Sequence, residues 1–557
     1  MQIRQILIGS LFCGLYCGVP LQAQRGGSEW TTSGGNAQRT SSFPDSAISP
    51  ANMQKPGFRM LWKLKLNNQS RQMNALTGAV TAGTGYHYRG VNFLALMGGS
   101  SNSVFAVDYD MAQLYWEKHF DAPPPAAGTL ACPGGMTAGI TRSVNLAPPS
   151  APVSRGSGAG VRSVSGAPGE GVPTEPRAGR GGPPAGVSGA QGRGGRGGRG
   201  GSGAPGRGGG GGFGSAQAVF AVTSDGVLHT ISFPSSKELQ KPIPFVPANA
   251  RLSDLALVND VVFTSTSNDC GGVANGVWSM NLADQSVKSW KTGGGSPVGD
   301  LAFGTDGTIY AALGPGAGYG NAVVALDPDT LKLKDWFTAP EAAFVTGPVV
   351  IHFQNQELVA AATRDGRIFL LDSQSLGGGS HDAPLASSAG YSSPHNDFVP
   401  EGLAAWQDEN GSWLAMPVAG TPTAAAKSVA SNGAVAAGAI VSMKITAPNG
   451  KPQLTGAWMS RDMNSPLTPV VVNGVMFATS GGEFHGEASL ATTDRVKRSV
   501  PAILYALDAA TGRELWNSGK SIASFMHSGT LSVSPGQLYL STADSTFYSF
   551  GFPVDRE

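Results

Sequence analysis

The side chains able to do chemistry are few, and none stands in a diagnostic spacing. Eight histidines are spread along the chain, and no pair has the HxH, HxxxH or HExxH spacing that sets two imidazoles on one metal ion. Two stretches place histidine among carboxylates, Ser393-Pro394-His395-Asn396-Asp397 and Glu483-Phe484-His485-Gly486-Glu487. If the loops carrying them converge, His395, Asp397, His485, Glu487 and the separate His527 form a cluster suited to proton transfer, as in a hydrolase or lyase. Ordinary hydrogen bonding within each loop is the alternative. No GxSxG, GxxxxGK[ST] or GxGxxG between a strand and a helix occurs, so nothing points to a nucleophile elbow or a nucleotide site.

Four cysteines are present. Cys13 and Cys17 fall in a leading segment, Met1 to Ala23, with Arg4 at its basic start, an apolar run from Ile6 to Val19 and the small Ala23 at a cleavage position. This reads as a removable export signal, giving a periplasmic or secreted chain. The residues before each cysteine are not the small ones of a lipid-anchoring signal. No other stretch is long and apolar enough to span a bilayer as a helix. Cys132 and Cys270 would meet oxidising conditions and are expected to pair, two free thiols being the alternative. Without CxxC or CxxCH, a zinc ribbon and a covalently attached c-type haem are excluded.

The background composition points to β-structure. Among 557 residues there are 80 glycines, and only 13% are charged. Lys plus Arg (38) nearly cancels Asp plus Glu (37), so the net charge of +1 gives no bulk attraction to nucleic acid or anionic membrane. From Ala151 to Gly214, 26 glycines and 7 prolines leave almost nothing to bury, and this insert is expected to be disordered. Its Arg193, Arg196, Arg199 and Arg207 resemble an RGG tract, but behind an export signal they read as a flexible surface loop.

A repeat organises the rest. Leu504 to Trp516 (LYALDAATGRELW) alternates β-prone residues, turns on Thr-Gly and ends a second strand in Trp. Val104 to Trp116, Val277 to Trp290 and Val323 to Trp336 follow the same pattern, with weaker copies at Val219 to Ile231, Ile368 to Ser373 and Ile440 to Trp458. Asp225-Gly226, Asp306-Gly307 and Asp365-Gly366 mark an earlier hairpin, because Asp-Gly suits a two-residue turn. The order is strand, strand, Asp-Gly type turn, strand, Thr-Gly type turn, strand, which is one blade of a β-propeller. Seven units close along the chain. A half-unit, Leu538 to Ser541 and Phe547 to Phe550, is completed by the N-terminal Phe58 to Lys63, giving an all-β, eight-bladed ring of four-stranded antiparallel blades, with seven as the alternative. Trp62, Trp116, Trp290, Trp336, Trp458 and Trp516 then read as packing between blades rather than as a cofactor box.

These residues resemble the PQQ-repeat, or quinoprotein-like, β-propeller family, whose signature AxDxxTGxxxW is carried by Ala506 to Trp516. The opening of the mature chain is similar as well: Trp30, Gly34-Gly35, Arg39-Thr40, Ser49-Pro50-Ala51-Asn52-Met53 and Leu61-Trp62. The resemblance spans about Trp30 to Phe552, apart from the insert. It implies either of two roles. Dehydrogenases of the family hold pyrroloquinoline quinone (PQQ) and Ca2+ on the axis, the calcium acting as a Lewis acid and an Asp as general base. Here the adjacent Cys-Cys that covers the quinone is missing. Tyr319 to Thr330 resembles the calcium region, yet Trp336 to Glu341 lacks the Asp-x-Trp-Asp type sequence that should follow. Asn321 is left as a weak candidate calcium ligand, a strand-capping loop residue being the alternative.

Other members of the family are non-catalytic docking platforms, one of them serving outer-membrane β-barrel assembly. The leading expectation is therefore an exported, monomeric, non-catalytic binding or scaffold protein. It would take a protein, glycan or small ligand on its loop face or in its central funnel, and no nucleic acid. The alternative is a divergent PQQ-dependent alcohol or sugar dehydrogenase requiring PQQ and Ca2+. An Asp, Asn and Glu cluster facing a Trp floor would favour the enzyme; a funnel plugged by side chains would exclude it.

Overall fold

Strands of the repeat differ in burial according to their place in it. Ser103–Asp108, Ala218–Val222 and Ala322–Leu326 are buried from end to end, whereas Gln113–His119 and Val287–Lys291 are largely exposed or half-buried. A strand covered on both faces must lie between two other sheets, and a half-covered one belongs at a perimeter. The computed structural model meets both demands with an eight-bladed β-propeller of antiparallel sheets in a ring. It describes residues 29–83, 93–122, 128–147, 217–339, 341–393, 397–486, 490–528 and 531–553. Residues 1–23, read from the sequence as an export signal, the 151–214 insert, His395 and Glu487 lie outside the described residues.

Numbered along the chain, blades 1 to 7 end in the outer strands Gln113–His119, Ile243–Pro244, Val287–Lys291, Leu333–Thr338, Ala386–Ser387, Gln453–Met459 and Glu514–Asn517. Blade 8 has Ser532–Ser534, Gln537–Ser541 and Thr546–Gly551 from the C-terminal end, and takes its outer strand, Arg59–Lys65, from near the N-terminus. Trp62 lies opposite Ser549 and Leu64 opposite Phe547, so the two ends of the chain close the ring and the count is eight rather than seven. One turn differs from expectation. Asp306-Gly307 joins the first two strands of blade 4, Pro297–Phe303 and Ile309–Leu313, whereas Asp225-Gly226 and Asp365-Gly366 each join a second strand to a third. The chemistry of a two-residue turn is indifferent to which hairpin it closes.

The six tryptophans sit at the seams between blades. Trp62, Trp116 and Trp458 donate their indole N–H to the backbone oxygens of Tyr109, Phe233 and Ala509, each in the following blade. Trp290 contacts the ring of Tyr319 in blade 4, Trp336 stacks on the His381 ring of blade 5 at 3.6 Å, and Trp516 meets Phe58 edge-on at 4.9 Å. The Thr-Gly turn of blade 7 shows why its glycine is required. Gly512 has φ of 74°, and a Cβ built there would stand 2.3 Å from the Trp458 ring.

A propeller leaves the innermost edge of every blade facing the axis with unpaired N–H groups. Here the opening segment covers those edges. Carbonyls of Trp30, Thr31, Ala37, Gln38, Thr40 and Ser41 accept from the N–H groups of Thr81, Arg142, Phe303, Val350, Ala405 and Val471, in blades 1, 2, 4, 5, 6 and 7. Thr32 donates to the Leu255 carbonyl of blade 3, and Asp45 accepts from Gly536 of blade 8. The stretch from Trp30 to Asp45 thus touches all eight blades, and Ser42–Phe43 runs parallel to Val471–Val472 as a further strand.

Candidate functional site

The segment that ties the blades together also floors a cavity. On the side of the inter-blade crossovers the axial channel opens into a funnel of about 530 Å3, floored by Ser33, Gly34, Arg39 and Ser41. Its wall includes Leu130, Ala131 and Pro133, held in place by a disulfide between Cys132 and Cys270. Ala131 accepts hydrogen bonds from Arg251 and Asn268, each at 3.1 Å, so the bridge fixes the wall against blade 3.

The charged lining falls into two groups. The first holds Asp254, Asp300 and Glu401, from the inner edges of blades 3, 4 and 6. Asp300 accepts from the backbone N–H of Asp254 at 2.9 Å, and a carboxylate oxygen of Asp254 accepts from the Gly139 N–H. Burial, reinforced by the Asp300 charge, pushes the Asp254 carboxyl up to about 7, against the Gly139 hydrogen bond. Burial likewise raises Glu401, opposed by Arg251. Among the described residues none of these three carboxylates forms an ion pair. Their crowding depends on glycine: a Cβ on Gly347 would stand 2.7 Å from the Asp300 carbonyl oxygen, and the Gly347 N–H donates to the Glu401 carbonyl. Glu401 has φ of 70°, a left-handed conformation that a non-glycine residue holds only when its surroundings impose it.

The second group is internally paired, although Arg495 Nε is buried without a hydrogen-bond partner. Arg495, carried by the helix Thr492–Arg498 inserted between the second and third strands of blade 7, is 1% exposed. It pairs with Asp397 and, at 3.5 Å, with Glu483. His527 Nδ1 lies 2.8 Å from Glu483, and His485 Nδ1 lies 3.2 Å from Asp397. Burial would raise the Asp397 carboxyl, but hydrogen bonds from His485 and Arg495 outweigh it and hold the group well below the usual carboxylate range. Of the residues singled out in the sequence, Asp397, His485 and His527 therefore do meet at the funnel. Ser465 Oγ lies 2.9 Å from His485 Nε2, completing a Ser–His–Asp order with Ser465 at φ of 52°. Yet Ser465 is 4% exposed and does not line the cavity, so its oxygen has no access for a substrate carbonyl.

Asn321 lies in the turn before the third strand of blade 4 and does not line the funnel; its backbone bonds to Gly314 and Ala339, and its buried Oδ1 has no partner. The residues present do not fit the quinone and calcium of the dehydrogenases. No tryptophan is among the described lining residues, the disulfide joins positions 138 apart instead of neighbours, and no described group of three His, Cys, Asp or Glu side chains converges to hold a metal ion. Sequence reasoning missed Arg39, Arg251, Asp254, Asp300, Glu401 and Arg495. A repeat signal was there for three of them: Asp254-Leu255-Ala256, Asp300-Leu301-Ala302 and Glu401-Gly402-Leu403-Ala404 set an acid before Leu-Ala at the mouth of each inner strand.

Several solved structures are similar over most of the chain. A quinohemoprotein alcohol dehydrogenase from Comamonas testosteroni aligns with a TM-score of 0.51 at 12% identity, over 95% of this chain and 82% of that one. A second quinohemoprotein alcohol dehydrogenase, from Pseudomonas putida HK5, gives 0.52 at 10% identity over the same shares. A europium-containing methanol dehydrogenase gives 0.52 at 12%, over 95% and 99%. No family model and no curated protein matches the sequence. At such identities the likeness is one of fold: this chain has the propeller architecture of quinoprotein dehydrogenases.

Proposed function

We propose that the protein is an exported member of the PQQ-repeat family that acts as a non-catalytic binding protein, receiving a small polar ligand in its axial funnel. The observation that carries this reading is the funnel itself: an open cavity of about 530 Å3, within the size range of small-molecule sites, lined by charged side chains on a floor tied to every blade. The misfit of its lining to quinone and calcium supports a binding role over the dehydrogenase alternative. Purified protein mixed with PQQ and Ca2+ is expected to show no quinone absorbance after desalting and no dye reduction with alcohols or aldoses. Small polar ligands are expected to raise its melting temperature. Retained quinone with dye reduction would overturn the reading.

One observation favours an enzyme instead. Asp254, with its carboxyl near neutrality beside Asp300, is poised to exchange a proton at physiological pH. On that second reading Asp254→Asn abolishes turnover of whichever substrate is found, while Asp397→Asn alters chiefly stability.

A further inference from the structure

The funnel wall that Leu130, Ala131 and Pro133 provide is held unevenly along its length. From Met136 onward the chain is anchored: Met136 is 1% exposed among core residues of blades 1 and 2, and the Thr137 hydroxyl accepts from the Leu252 N–H at 2.8 Å. Gly135 lies so close to blade 1 that a Cβ there would stand 2.0 Å from the Ser100 carbonyl oxygen. Before it the chain is loosely held. Thr129 and Ala131 are exposed, and Leu130 and Cys132 are half-buried. Arg251 and Asn268 donate to the Ala131 carbonyl, while the backbones of Thr129 and Cys132 bond to each other. Gly134 and Gly135, with φ of 71° and 75°, form the junction on which the preceding residues can swing. The disulfide ties this loose end to a rigid one. Cys270 is 3% exposed and opens the one-turn helix Cys270–Gly272. Asp269 and Asn275 clamp that turn, the side-chain oxygen of each accepting from the N–H of the other at 3.0 and 3.1 Å. A thiolate arriving from solvent therefore meets the sulfur of Cys132 more readily than that of Cys270.

We propose that the Cys132–Cys270 disulfide is a thiol-exchange site, through which a dithiol reductant releases the funnel wall and loosens the hold on a small polar ligand. This rests on the reading of the funnel as a small-ligand site. The first thiolate of the reductant bonds to Cys132 Sγ, and Cys270 leaves as a thiolate on its clamped turn. The second thiolate then attacks the reductant's own sulfur in that mixed disulfide and displaces Cys132. Two electrons and two protons pass to the protein, and the reductant departs as a disulfide. With the bridge open, the exposed stretch from Thr129 to Cys132 swings on Gly134-Gly135. Leu130 and Ala131 leave the lining, and Arg251 loses the acceptor it had in Ala131. Asn268, on the clamped side, stays in the lining.

The test starts from the oxidised full-length protein in native buffer. Reduced glutathione, a monothiol, is expected to form its mixed disulfide on Cys132, mapped by mass spectrometry after acid quenching. Dithiothreitol is expected to open the bridge without unfolding the protein. Hydrogen exchange should then lose protection at the Cys132 amide, while the Asn275 amide and the strand Val261–Ser267 keep theirs. Glutathione on Cys270, opening that requires urea, or unchanged exchange at Cys132 would each overturn the proposal. These readouts need no ligand. Sorbitol, glycine and citrate are then titrated into both forms in a calorimeter. Whichever binds the oxidised protein should bind the reduced one roughly tenfold more weakly, the factor that one lost hydrogen bond commonly costs. Equal affinity in the two forms would overturn the gating. Silence of all three probes, with the wall released, would sink the small-ligand reading and the gating with it, while the exchange site stands.

Discussion

The two sides of the funnel carry similar acids in opposite states. Asp397 and Glu483 are paired with Arg495 and lie within hydrogen-bond distance of His485 and His527, and the Asp397 carboxyl is held far down. Asp254, Asp300 and Glu401 have no such partners, and Asp254 and Glu401 are pushed up. The difference is one of supply. Blade 7 inserts a helix whose Arg495 delivers a buried cation, whereas Arg39 and Arg251 direct hydrogen bonds to the carbonyls of Leu301 and Ala131. A carboxylate whose charge is already answered builds structure; one whose charge is unanswered is available to a ligand.

The comparison breaks most decisively at Arg495. Arg495→Ala strands two carboxylates around a buried gap, and breaking a buried pair costs about 3–5 kcal/mol. Asp300→Asn removes a charge from a repulsive cluster and keeps an oxygen for the Asp254 N–H, so it should stay within about 1 kcal/mol of wild type. Urea unfolding of both variants decides the matter. Equal losses would show that the two sides are alike.

Next in size is the disulfide, which sits on the unanswered side. Cys132→Ser combined with Cys270→Ser opens a loop of 138 residues and should cost about 2–5 kcal/mol. It also frees the wall that Ala131 provides, so ligand affinity should fall along with stability, while the Arg495 side keeps its contacts. Calorimetry of the double variant with a small polar ligand that raises the wild-type melting temperature separates the two effects.

How much of this was readable beforehand follows from what repeats. Trp516 and Gly512 announced the blade because each copy of the hairpin solves the same packing problem, and Trp62 to Leu64 could be assigned to the last blade because an unpaired edge needed them. The floor was not legible in that way. Arg39 and Ser41 sit in left-handed conformations (φ of 60° and 50°), in a segment bonded to residues as distant as Gly536, and one copy without a period gives no pattern to detect. Arg495 was hidden for a similar reason, since its helix is an insertion inside one hairpin. His485 and Asp397 were visible as a histidine and an acid, but their meeting across 88 residues is a property of the ring.

Opposite pH slopes should sharpen the contrast at smaller magnitude. Asp254 has a folded-state value near 7, far above an unfolded aspartate, so its protonated form favours the fold; that contribution is full at low pH and is lost as pH rises from about 4 to 7. Asp254→Asn should therefore be more stable than wild type at pH 8, by roughly 2 kcal/mol once access of water to the funnel is allowed for, and equal to it near pH 4. Asp397 is depressed, so its ionised form favours the fold above the unfolded value, and that contribution fades only as pH falls through the strongly acid range. Asp397→Asn should be less stable than wild type at pH 7 and converge on it in acid. Melting curves of both variants from pH 2 to 8 test the signs, and parallel slopes would erase the distinction.

The smallest expected effect concerns Ser465, where the ion-paired side looks most like an enzyme. Its oxygen meets His485 at 2.9 Å, and His485 meets Asp397, which is the order of a hydrolytic triad. Two features argue that the arrangement is structural. Ser465 is buried away from the cavity, and the N–H groups of Gly481 and Gly482, which bond to its own segment, donate to the carbonyls of Ser465 and Asn464 and are not free to receive an oxyanion. Ser465→Ala should thus cost about 1 kcal/mol, the worth of one hydrogen bond, and the wild type should not be labelled by a fluorophosphonate. Covalent labelling that disappears in Ser465→Ala would turn the structural side of the funnel into the reactive one and reverse the assignment of roles.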